Sequence, residues 1–436
     1  MNAMRRGDAM SFIIRGLIAA VSAVLLVPLS ASAQESNIFV QCPLSTDLHP
    51  QTTEQALAGD RADGIVCRHL TGSDGMVTMA GDANKELYIF SFADVPTVGA
   101  PPVNSAEYAG FVMEQGTMAA EGPAPTIVVD EDDEVYLTLT NVGMAMRPDL
   151  FDPHTIHWHG FPQASAIFDG VPDASVSVNM GASLTYYYLA KDAGTYMYHC
   201  HVEAAEHMQM GMLGNLYVRP KQSTLPAQSL DGFAHTPWNG ETGDAKTGNT
   251  YAYNDDDGST RYDVEFPIQI GSFDPDYHDA SLFVQPLPFA GMRDRYFMLN
   301  GRGYPDTVNT AVLETTDPLG TVQQSQPMHS LIEAVAGQRI LLRISNLNVT
   351  TFSSLGTNGL PMQVVGLDAR LLRDDAGDDM YYNTNSVTLG GGQSADVIID
   401  TAGIPTGTYF LYSKNLDQLV NDAENFGGMM TEIRIN

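Results

Sequence analysis

The feature that most constrains this chain is a repeat. A strand-like run ending in asparagine, VYLTLTN (135–141), is followed by HTIHWHG (154–160) and then GTYMYHCH (194–201). Later, ILLRISN (340–346) is followed by LPMQVVG (360–366) and GTYFLYSK (407–414). Asn141 to Gly160 spans 19 positions and Asn346 to Gly366 spans 20. Matched spacings between matched motifs imply one supersecondary unit used twice. Short β-rich runs dominate both halves: ELYIFSF (86–92), SLTYYYLA (183–190) and GNLYV (214–218), then PMQVVGLDA (361–369) and ADVIIDT (395–401). Gly, Pro, Asn and Asp separate them and long helical periods are scarce, so the class is all-β, with two β-sandwiches.

The remaining chain divides around these units. Residues 1–33 carry Arg5, Arg6 and Arg15, an apolar run GLIAAVSAVLLVPLS and then Ala31-Ser32-Ala33. That is the pattern of an export signal with a small-residue cleavage site, and the run is short for a bilayer span. It predicts a periplasmic or secreted protein with no membrane span in the mature chain. Residues 34–75 form an N-terminal extension in which Cys42 and Cys67 predict a disulfide, as export allows. Closing that loop contributes roughly 3.5 kcal/mol in the chain-entropy model. Residues 76–220 form the first sandwich, 221–262 a turn-rich linker and 263–436 the second sandwich.

GTYMYHCHVEAAEHMQMGM (194–212) holds three histidines, one cysteine and four methionines. Alternate strand residues face opposite ways. His199 and His201 therefore share one face and Cys200 takes the other, while His157 and His159 share a face in HTIHWHG. One strand can thus feed two metal sites. Cys200, His207 seven positions on, Met212 five beyond that, and His154 from the neighbouring motif make thiolate, two imidazoles and a thioether. That set selects copper over zinc, calcium or magnesium. Met210 competes with Met212 for the weak axial place. Laying one half on the other through Gly160 and Gly366 sets His154, His157 and His159 against Leu360, Gln363 and Val365. Through Gly194 and Gly407, His199, Cys200 and His201 meet Tyr412, Ser413 and Lys414. The second half is read as a sandwich without metal ligands.

These pieces resemble the multicopper oxidase family. The resemblance runs through PAPTIVVDEDDEVYLTLTN, IHWHGF, DGVPD (169–173), GTYMYHCH and HMQMGM, and in the second half through YFMLNGRGYP (296–305), GQRILLRISN (337–346) and GGQSADVIIDT. It implies two cupredoxin-like Greek-key β-sandwiches, with type 1 copper ligands at His154, Cys200, His207 and Met212. It further implies a type 2 ligand at His157, type 3 ligands at His159, His199 and His201, and electrons passing from a small reductant through Cys200 to a copper cluster that reduces dioxygen. The reductant would be phenol-like or a metal ion.

Two departures from the family pattern stand out. The Cys200-to-His207 step is seven positions where most members have five, so the loop VEAAE is two residues longer. The family cluster uses four His-x-His pairs, and this chain has two. His49, His69, His235, His278 and His329 are isolated in sequence; the first three read as structural, while His278 and His329 could be donated to another site. Completion of the cluster is therefore expected from a second chain at an interface, with a homo-oligomer, by default a trimer, implied by related two-domain families. A copper nitrite reductase shares the design, but has an acidic residue where His157 stands and no histidine where His201 stands. A non-catalytic blue copper carrier is the third reading. The formal charge of −31 argues against nucleic-acid partners.

Overall fold

The computed structural model describes residues 38–436 except 51–57, 63, 80–84, 224–249 and 423. The predicted export signal, His235 and most of the predicted linker lie outside the described residues. Two sandwiches follow one another along the chain. In the first, one sheet is built from β1 (Ala58–Ala62), β2 (Ile65–Thr78), β3 (Glu86–Asp94), β5 (Glu134–Gly143) and β7 (Ser183–Leu189). The facing sheet runs β4 (Ala124–Asp130), β9 (Leu213–Arg219), β8 (Gly194–His199) and β6 (His157–His159). Between them lies an aromatic core in which Trp158 stacks on Tyr188 at 3.9 Å, with Tyr186, Tyr198, Phe90 and Phe92 around it. Aromatic contacts of this kind add stability beyond the area they bury.

β2 pairs antiparallel with β3 and parallel with β5. A domain boundary at residue 76 therefore falls inside a strand, and much of the predicted extension is sandwich. Residues before it are tied on as well. Phe39 and Gln41 donate backbone N–H groups to the hydroxyls of Ser183 and Thr185 on β7, and Cys42 is disulfide-bonded to Cys67 on β2. Helix α1 (Ala106–Gly116), capped by the Ser105 hydroxyl, lays Tyr108 and Val112 over this bond. In the stretch read as linker, Thr250–Tyr251 and Arg261–Tyr262 form a short hairpin.

The second sandwich repeats the plan. Strand 339–346 takes the place of β5: it pairs parallel with 264–273 and antiparallel with 393–400. Strand 407–413 takes the place of β8, pairing antiparallel with 430–435. One sequence pairing is corrected. β6 lies beside β8 with His157 opposite His199 and Trp158 opposite Tyr198. In the second sandwich the strand beside 407–413 is Ser353–Thr357, with Gly356 opposite Tyr412 and Thr357 opposite Leu411. The counterpart of His157-Trp158-His159-Gly160 is thus Gly356-Thr357-Asn358-Gly359, not the motif ending at Gly366. Residues 362–367 belong to the opposite sheet, against 393–400. This segment, too, offers no imidazole.

β8 is buried on both faces. Tyr196, Tyr198 and Cys200 enter the core of the first sandwich. On the other face Thr195 bonds Asp396 at 2.5 Å and accepts from Ser394 through its carbonyl, and Met197 packs against Leu347. The two sandwiches meet on this face. Arg343, fully buried there, is held by Glu265 at 2.7 Å and Asp396 at 3.3 Å.

Candidate metal centres

The Cys200 site is assembled by backbone bonds. The His154 and Val178 main chains bond each other at 3.0 and 2.8 Å, and the Asn141 amide, donating to Val178 O at 2.9 Å, fixes that bridge. Cys200 N donates to Met212 O and Met212 N to His207 O, so three of the predicted ligands are tied by one short turn. Helix α2 (Ala204–Gln209) carries His207. The donor atoms of His154, Cys200 and His207 lie within 4.8 Å of one another, all three residues buried. Cys200 Sγ is 3.2 Å from His207 Nδ1. A Cβ on Gly72 would sit 2.9 Å from His154 Cδ2 and 3.6 Å from Met212 Cε, so both side chains lie over this one glycine. The end of the Met212 side chain and the His154 ring thus border the same glycine.

This pocket fits copper by its own chemistry. Both ring nitrogens of His154, and Nε2 of His207, are buried without a hydrogen-bond partner. Orphaned buried nitrogens are costly unless something is coordinated there. Burial alone would push the Cys200 thiol up, but the His207 and His154 imidazoles outweigh it and hold the thiol well below its ordinary range. Burial likewise pulls His207 down, while the Cys200 sulfur and Asp152, whose carboxylate is 3.9 Å from Nε2, raise it to about 10. A thiolate ready to ligate is the outcome. Thr155 N–H donates to the sulfur at 3.5 Å.

The four remaining predicted ligands gather on the other face of β8. The His157 ring centroid lies 5.8 Å from that of His159 and 5.2 Å from those of both His199 and His201. His159 Nδ1 and His199 Nε2 are 3.3 Å apart, close to the separation of two ligands on one ion with bonds of about 2 Å. Backbone carbonyls fix two of the rings. His199 Nδ1 bonds Cys200 O at 2.8 Å and His157 Nδ1 bonds Asp169 O at 2.6 Å, which leaves each Nε2 for a metal. Burial holds His199 down at about 3 and lowers His157 and His159 as well, so these rings are neutral, as ligands must be. Beside them stands the second sandwich of the same chain: a Cβ on Gly392 would meet His159 Nε2 at 2.8 Å, and Asp368 acts on the same ring.

The isolated histidines are elsewhere. His69 bonds Tyr108 and Thr140 and is buried; His49 pairs with Glu134 at 2.9 Å. His278, expected as a possible donor to another site, is buried with its ring nitrogens on Tyr88 O and Gln209 O at 2.5 and 3.0 Å. It is a brace between helix α3 (Pro275–Leu282) and the His207 helix. His329 rests against Phe266. Sequence reading missed Asp152, Asp169, Gly72 and Gly392. Asp169 heads DGVPD and could have been found from that motif; the other three carry no local signal.

Two family models, both described as multicopper oxidase, match residues 106–223 and 290–430, together more than half the chain. The chain belongs to the multicopper oxidase family. Laccase-1 of Emericella nidulans is 36% identical over 111 residues, which cover 24% of this chain and 16% of that protein. A multicopper oxidase of Talaromyces pinophilus is 35% identical over 103 residues, 23% of this chain and 16% of its own. The chain thus aligns to about a sixth of these family relatives. Among solved structures, the blue copper oxidase from Nitrosomonas europaea superposes with a TM-score of 0.57 at 23% identity over 84% of this chain and 85% of its own. The copper nitrite reductase from the same organism gives 0.52 at 17% identity, over 85% and 94%. At such identities these two show the shared fold. Among the described residues no helix is long and apolar enough to cross a membrane.

Proposed function

We propose that this family member is an exported oxidase that couples one-electron oxidation of a small reductant to reduction of dioxygen. His154, Cys200, His207 and Met212 would hold the type 1 copper, His157 a type 2 copper, and His159, His199 and His201 type 3 copper. Copper in these sites would supply one-electron redox chemistry and a place for dioxygen to bind. The observation carrying this reading is that Cys200 sits in one donor set while its direct neighbour His199 sits in the other, with His199 Nδ1–H bonded to Cys200 O and the His201 ring 5.2 Å from that of His157. The chain's own contribution is a short covalent and hydrogen-bonded link between a fully buried site and a half-buried one. It also favours the deprotonated thiol and keeps the His157 and His199 rings in fixed tautomers.

Four histidines are half of the family's set. Among the described residues, the second sandwich places a glycine and a carboxylate beside them and no imidazole. This supports completion by another copy of the chain, first sandwich to first sandwich. Identical patches meet only across a twofold axis, so the pairing is a dimer or an assembly built from dimers rather than a simple trimer. Copper stoichiometry, electron paramagnetic resonance and the near-ultraviolet type 3 band, read beside the mass in solution, test this. A full trinuclear signature in a strict monomer sinks the interface, and a single copper per chain with no dioxygen uptake sinks the oxidase. Nitrite turnover on the same sample tests the reductase reading, which assigns no ligand role to His157 or His201.

A further inference from the structure

His69 belongs to neither copper-ligand set, yet it borders a cavity of about 230 Å³. The loop between β3 and helix α1, VPTVGAPPV (95–103), encloses this space. Val95, Pro96, Pro101 and Pro102 give it apolar walls, and His69 from β2 and Tyr108 from helix α1 line it as well. Both polar residues are buried, at 2% and 3% exposed. His69 Nδ1 lies 2.8 Å from the Tyr108 hydroxyl, and Nε2 lies 2.7 Å from the Thr140 hydroxyl on β5. Burial holds the imidazole down at about 3, so the ring is neutral and carries one N–H. Burial also pushes the Tyr108 phenol up to about 12, so it keeps its proton. Two hydroxyls and one N–H thus share two hydrogen bonds, and one hydroxyl hydrogen is left over. On Thr140 it would be sealed between strands: that residue is fully buried and has no other acceptor among the described residues. A buried O–H left unpaired is costly. Thr140 therefore donates to Nε2, Nδ1–H donates to the Tyr108 oxygen, and the spare hydrogen is that of Tyr108, at the cavity.

We propose that this cavity binds a small neutral aromatic carbonyl compound, its oxygen accepting from the Tyr108 O–H and its ring lying among the three prolines and Val95. Size, charge and wall chemistry each narrow the class. A cavity of about 150 Å³ with apolar walls already takes one benzene ring, so this one admits a ring and a short substituent. No acidic or basic side chain other than the neutral His69 lines it, and a charged ligand would lose its hydration without a partner. Proline rings present flat apolar faces that pack on aromatic ones. The single donor selects a molecule with an acceptor oxygen. No step of the oxidase reading uses this site, and the two stand or fall separately.

The test uses the copper-loaded full chain with acetophenone as the probe. Ethylbenzene, nearly the same shape without the oxygen, is the control, and binding is followed by calorimetry and saturation-transfer magnetic resonance. Acetophenone should bind the wild-type chain at least tenfold more tightly than ethylbenzene. Tyr108→Phe keeps the ring and removes the hydroxyl; it should weaken acetophenone tenfold or more and leave ethylbenzene unchanged. Ala100→Leu, which fills the cavity from its wall, should weaken both probes tenfold or more. The blue absorption should be retained in both variants. No acetophenone binding, equal affinity of the two probes for the wild-type chain, or unchanged acetophenone affinity in either variant overturns the proposal. The comparison of probes on the wild-type chain decides the matter even where Tyr108→Phe fails to fold.

Discussion

The two sandwiches hold the same pocket in two chemical states. In the first, Asn141 pins Val178 and Val178 bridges to His154. In the second, Asn346 donates to Leu389 O at 2.7 Å and Leu389 pairs with Ser353. Cys200 N donates to Met212 O and Met212 N to His207 O; Ser413 N donates to Met429 O and Met429 N to Gln418 O. The counterparts of His154, Cys200, His207 and Met212 are therefore Ser353, Ser413, Gln418 and Met429. Where Cys200 sulfur faces a histidine nitrogen at 3.2 Å, the Ser413 hydroxyl donates to Gln418 at 2.7 Å. The backbone scaffold is indifferent to metal. In the second pocket polar side chains satisfy one another, while in the first the ring nitrogens are left for an ion to satisfy.

The sharpest way to break this comparison is to convert one pocket towards the other. Cys200→Ser should abolish the blue absorption and lower dioxygen uptake on the order of a thousandfold or more, as removal of one member of a unit does; retention of either measurement would mean the thiolate is not the ligand. Next in size is the staple that only the first sandwich carries. Cys42→Ala with Cys67→Ala should cost roughly 3.5 kcal/mol by the chain-entropy argument. Denaturant unfolding should show the loss in the first sandwich, and an unchanged curve contradicts it.

A third difference is acid sensitivity. Burial holds His69 down at about 3, against 6.5 for a free imidazole. In the window between those values the unfolded chain binds the extra proton. Stability is therefore fully present above about pH 6.5 and is lost as pH falls towards 3, with a slope of up to about 1.4 kcal/mol per pH unit. His69→Gln should flatten that slope in a pH series of melting temperatures. Gly392→Ala probes the point where the sandwiches touch at the histidine group. Its φ of +86° and the 2.8 Å approach to His159 should cost on the order of 1–3 kcal/mol and lower copper occupancy of the four-histidine group, with the blue absorption kept. The smallest expected effect is restoration. Ser353→His, Ser413→Cys and Gln418→His, with Met429 already present, should add weak copper binding to the second sandwich, read as a copper-per-chain increase.

Much of the site was legible because it is local. The parity of a strand separates Cys200 from His199 and His201, and the structure keeps that separation. The disulfide followed from two cysteines near each other in a chain whose first residues predict export, and Cys42 and Cys67 are bonded. The partner of β6 was misread because Asn141 to His157 is 16 residues while Asn346 to Gly356 is 10. A comparison anchored on spacing chose Gly366, and only sheet register shows the strand that lies beside 407–413. The boundary at 76 failed for a related reason: β2 pairs with β5, some seventy residues later, and its own sequence does not show that pairing.

The sequence by itself determined the class of fold, the donor types and their division into two sets, since these depend on residue identity and on the alternation of one strand. Tertiary structure decided the rest. It set Met212 and His154 over Gly72, brought Asp152 to His207, turned His278 into a brace, and laid Gly392 against His159. Each of these joins residues remote in sequence or fixes a side-chain direction, and packing between strands and between sandwiches settles both.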